Sequence, residues 1–197
     1  MGEQSQSGYD DFLSTLANYK SLSASAIGAG GIVPFFAYVG DLAPPWPPGI
    51  MLLTALTQLV ALVVAFQLIK PLKRYVVNIA IVTLSAILCI FSLAYLVLFA
   101  SLTYTTPATK ERWVKGFVCL DQVQKIHPEC PYLSRDTISD GQNDADKLWT
   151  VSSIVIAQVF IAVTWLGSFV SLAGLIGTFL VFQMKIRAPP LKRRVNS

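Results

Sequence analysis

Cys119, His127 and Cys130 are the nearest this chain comes to a chemical constellation: two thiols and an imidazole in one short polar stretch. A structural zinc site takes four ligands, and no fourth Cys or His stands at a workable spacing. A redox dithiol calls for a close, low-pKa pair such as Cys-x-x-Cys, whereas ten residues separate Cys119 from Cys130. The pair therefore reads as a disulfide that closes about a dozen residues and contributes roughly 2–3 kcal/mol of loop order. Cys89 lies inside an apolar run and reads as a small buried side chain.

A second cluster, Asp136, Asp140, Asn143, Asp144 and Asp146, has the hard oxygens that calcium prefers. The ordered Asp-x-Asp-x-Asp-Gly spacing and the closing Glu of an EF-hand are absent. Asp144 and Asp146 are better placed to complement the positive N-terminus of the helix that follows. No nucleophile–base pair, phosphate-cradling glycine loop or paired-carboxylate site is legible. The expectation is a protein that is not an enzyme and carries no cofactor or metal.

The remaining candidates are neutral. Gln58, Gln67, Asn78 and Gln158 stand in otherwise apolar runs, where amides either line a pore or join helices by hydrogen bonds. Gly167, Ser171 and Gly174, continued by Thr178 or Gly177, recur three or four apart. Such a small-residue face allows close helix packing, within a bundle or between copies. None of the apolar runs contains an Asp, Glu, Lys, Arg or His, which weakens any reading as a proton relay or ion-coupled transporter.

These residues need a membrane to position them. Of 197 residues, 54% are hydrophobic and 13% charged, against about 25% charged in ordinary soluble domains. Mean hydropathy is +0.58. The net charge of +4 gathers at the ends of apolar runs and predicts topology, not nucleic-acid binding. Residues 1–20 predict an amphipathic or disordered cytoplasmic segment, with no basic-then-apolar pattern of a secretory signal. Residues 21–40 are charge-free and rich in glycine, and predict a first span; an interfacial or re-entrant segment is the alternative.

Residues 41–49 hold four prolines around Trp46, a stiff turn whose indole anchors at the membrane interface. Ile50–Ile69 and Tyr75–Leu102 predict the second and third spans, joined by the basic turn 70–74. Residues 103–147 form the extracytoplasmic loop. Leu148–Met184 runs 37 residues without charge or proline, and residues 185–197 form a basic cytoplasmic tail. A helix that long reaches about 55 Å, so it must tilt, kink near a glycine, or project beyond a core of roughly 30 Å.

The fold class expected is an all-α integral membrane protein: a four-transmembrane-helix bundle with one disulfide-tied extracytoplasmic loop. Both termini are expected in the cytoplasm, in a plasma (inner) membrane. The functional expectation is a small oligomeric, pore- or channel-like membrane effector. The alternative is an accessory or assembly subunit of a larger membrane complex. The partners expected are the lipid bilayer and either further copies of the chain or another membrane protein, with no nucleic acid.

Overall fold

The computed structural model describes residues 37, 39–106, 111–131, 133, 138 and 144–187. Three long helices dominate it: α1 (Ile50–Ile69), α2 (Arg74–Leu102) and, after the polar region, α5 (Val151–Arg187). Each is long and apolar enough to cross a membrane. Nearly all of the predicted first span, and the amphipathic segment before it, lie outside the described residues, as does the tail beyond Arg187.

α5 is the centre of the assembly: α1 packs on one part of it and α2 on another. α1 runs parallel to α5, pairing Thr54 with Trp165 at one end and Phe66 with Val181 at the other. α2 runs antiparallel to α5, with Tyr95 against Trp165 and Arg74 over the Phe182 ring. The predicted basic turn therefore sits beside the end of α5. Lys185 closes that corner by donating to the Leu72 carbonyl.

The surplus length of α5 resolves into a projection. Thr54 lies four residues past the start of α1, while its partner Trp165 lies fourteen past the start of α5. At 1.5 Å per residue α5 thus extends about 15 Å beyond α1, and α2 extends about 10 Å past Tyr95. The two projecting ends carry a small cap.

The cap adds a small two-stranded sheet to the expected all-α fold, within residues expected as a loop. β1 (Thr103–Thr105) continues directly from α2 and pairs antiparallel with β2 (Arg112–Val114). Thr, Tyr, Trp and Val favour such pleated, half-buried surfaces. α3 (Asp121–Ile126) and the short α4 (Ala145–Leu148) follow. Cys119 and Cys130 are joined as a disulfide, Cα to Cα 6.4 Å. It lies in a core of Leu133, Ile138, Ala145, Leu148, Trp149 and Ile154.

The start of the last span also shifts. Trp149 is extended because it forms a bridge with Cys119, which interrupts the helix between Leu148 and Val151. Asp144 consequently caps α4, its carboxylate accepting from the Asp146 amide, and does not cap the long helix.

Candidate functional site

The N-terminal end of α1 stops short of its neighbours, and the proline-rich segment folds into the space above it. Gly49 adopts φ +80°, a left-handed turn that releases the chain into α1. Asp41 is also left-handed, at φ 57°, a conformation that Asp tolerates better than most residues. Two side chains hold this strap by its backbone. Tyr95 of α2 donates its hydroxyl to the Leu42 carbonyl, and Arg112 of β2 donates to the Asp41 carbonyl. The Arg112 guanidinium also lies 4.7 Å from the centre of the Phe99 ring, a cation–π contact that fixes its height.

Between strap and hairpin lies an open groove of about 940 Å³. One wall is Val39, Asp41 and Ala43–Trp46; the other is Thr105 and Glu111–Val114, with Gln158 of α5 at its base. Trp46 and Trp113 keep 36% and 44% of their surface exposed, so neither ring is spent on the core. Of the predicted residues, Trp46 and Gln158 meet here. Arg112, Trp113 and Asp41 were not predicted; the available signal was an exposed-type tryptophan flanked by charges at Arg112 and Lys115.

The other amides do not converge. Gln67 and Asn78 are exposed near the basic end, on either side of the turn. Gln58 is 4% exposed, one helical turn below Thr54, and neither its oxygen nor its nitrogen has a hydrogen-bond partner. Directly above it, the Trp165 indole donates to the Thr54 hydroxyl at 2.8 Å, which in turn donates to the Ile50 carbonyl at 2.7 Å.

The small-residue face of α5 is used inside the bundle. A Cβ on Gly167 would fall 2.7 Å from the Phe91 ring of α2, and one on Gly177 would fall 3.1 Å from the Leu62 carbonyl of α1. Gly174 has room, with Leu84 at 3.6 Å, and buried Ser171 returns its hydroxyl to the Gly167 carbonyl.

α2 presents a different surface. Asn78, Ser85, Cys89 and Ser92 fall within an arc of about 60° on one side of that helix. Asn78 and Cys89 are exposed, and Ser85 and Ser92 are half-exposed. Cys89 was expected to be buried; the residues that face α5 are instead Leu84, Phe91 and Tyr95. Among the described residues no three His, Cys, Asp or Glu side chains converge as metal ligands. In the cap, burial first and then the charges of Asp144 and Asp146 push the Tyr104 phenol up to about 12.

No family model, curated protein or solved structure matches this chain.

Proposed function

We propose that the protein is an oligomeric, pore- or channel-like membrane protein in which the Asn78–Ser85–Cys89–Ser92 stripe of α2 faces a shared axis. The carrying observation is the stripe itself: small, uncharged polar groups on the helix whose span is the least buried of the three. Facing lipid, such groups gain nothing, whereas against other copies or a water column they find partners. Leu96, one turn beyond Ser92, continues the same face and supplies an apolar constriction of the kind that gates by dewetting. The basic end lies in the cytoplasm and the disulfide-tied cap lies outside a plasma (inner) membrane. Both assignments follow the bias of Lys and Arg toward the cytoplasm and of disulfides toward oxidising compartments.

Cys89 makes the reading testable without mutation, because the other two cysteines are joined. The protein reconstituted in nanodiscs has the mass of a discrete homo-oligomer and gives single-channel steps in planar bilayers. A membrane-impermeant thiol reagent then reduces the conductance. A silent monomer with an unreactive Cys89 would refute the proposal. The cap and its groove support a second reading, an accessory subunit that docks on a larger complex. That reading requires a defined protein partner to co-purify in stoichiometric amount.

A further inference from the structure

We propose that the groove between the strap and the hairpin binds the headgroup of a zwitterionic phospholipid, its phosphate at Arg112 and its ammonium at Trp46, Trp113 and Asp41. The site is independent of the pore reading and stands on position, shape and charge.

Position comes first. α1 has 20 residues, about 30 Å, which matches the hydrocarbon core of a bilayer, and the groove begins where α1 ends. The groove therefore opens at the level of the headgroups. The first turns of α1, which follow the strap in the chain, leave Leu52, Leu56 and Leu59 exposed, an apolar surface suited to acyl chains. The cavity, about 940 Å³, lies within the roughly 300–1,000 Å³ usual for ligand pockets.

Charge gives the chemistry of the occupant. Arg112 has five N–H donors. Its guanidinium gives a bond to the Asp41 carbonyl and rests on Phe99, and among the described residues it has no carboxylate ion-pair partner. The remaining donors suit a phosphodiester, for which the guanidinium fork is the matching group. The opposite demand is met beside it. Trp46 on the strap and Trp113 next to Arg112 both keep exposed surface, tryptophan attracts a cation more strongly than any other aromatic side chain, and the exposed Asp41 and Glu111 carboxylates add negative charge. Gln158 at the base offers both a donor and an acceptor for the glycerol ester region. A purely anionic lipid would satisfy Arg112 and be repelled at Asp41 and Glu111. A headgroup with both charges satisfies the guanidinium and the acidic and aromatic groups together.

The test uses the full chain in mixed micelles containing equal amounts of phosphatidylethanolamine, phosphatidylcholine and phosphatidylglycerol, with the lipids retained after purification counted by native mass spectrometry. The two zwitterionic lipids are retained over phosphatidylglycerol. Asp41→Asn and Trp113→Ala each lower that preference about three- to tenfold, the scale of a lost cation–π or ionic contact. Both residues are exposed, and unchanged thermal unfolding of each variant shows that the cap is intact. Equal retention of phosphatidylglycerol by the native protein would overturn the proposal. So would folded variants that keep the native preference.

Discussion

Replacing Gln58 by methionine tests whether the interior of this bundle is as dry as its geometry implies. The glutamine amide is buried between helices with both its polar atoms unpartnered, and a buried polar group in that state costs about 1–3 kcal/mol. Methionine keeps the unbranched shape and removes the polar atoms, so the substitution stabilises by about 1–3 kcal/mol. In a chain of this size each kcal/mol moves the midpoint by about 2–4 °C, so thermal unfolding in detergent shifts upward by roughly 2–12 °C. Thr54→Val, one turn away on the same face, provides the opposite sign. It strips the Trp165 indole of its acceptor and leaves a buried N–H orphaned, which lowers stability by about 1–3 kcal/mol. The two variants together separate polarity from packing, since each is close to isosteric. If Gln58→Met unfolded at a lower temperature than the native protein, the reasoning would be refuted: the amide would then be engaged by water or by another subunit.

Further outcomes follow from the packing of the glycines and from the setting of Tyr104. Gly174→Ala gains about 1 kcal/mol of helix propensity at an ordinary 3.6 Å contact and raises the melting temperature. Gly177→Ala meets the Leu62 carbonyl at 3.1 Å, so overpacking of about 1–3 kcal/mol cancels or exceeds that gain; parallel melts of the two variants check the difference in sign. Gly116→Ala drives a methyl to 2.7 Å from the Trp149 Cβ and into the Ser153 hydroxyl. It loosens the cap, read as faster proteolysis of residues 111–150 with the long helices unaffected. Tyr104 ties cap stability to alkaline pH. Its folded-state pKa of about 12 exceeds the ordinary 10, so the unfolded chain ionises first. Stability is complete below pH 10 and falls between 10 and 12, a loss that Tyr104→Phe abolishes.

Much of the helical layout is legible in the composition of the runs. Ile50–Ile69 is bounded by Gly49 and by Lys70-Pro71, and the structure keeps those bounds. Tyr75–Leu102 grows by one residue, and Thr103 turns extended because the hairpin takes over the chain. The disulfide follows from two cysteines in one polar loop. A run of twenty apolar residues has few options, because its backbone polar groups must be satisfied within the segment.

Distant pairings were beyond that logic. The order of helices around α5, the projection of α5 above α1, and the assignment of Gly167 and Gly177 to different neighbours all depend on which groups meet across distant parts of the sequence, as Thr54 and Trp165 do. The groove belongs to the same category. Asp41, Arg112 and Gln158 lie in three separate segments, which a shared core and the hydrogen bonds of Tyr95 and Arg112 to carbonyls of the strap bring together. Local composition determined where the chain becomes helical and which ends are charged, since those depend on neighbouring residues alone. Tertiary packing decided which amide is buried, which cysteine is exposed and where a groove opens, since those depend on the relative lengths of helices and on contacts that no local window contains.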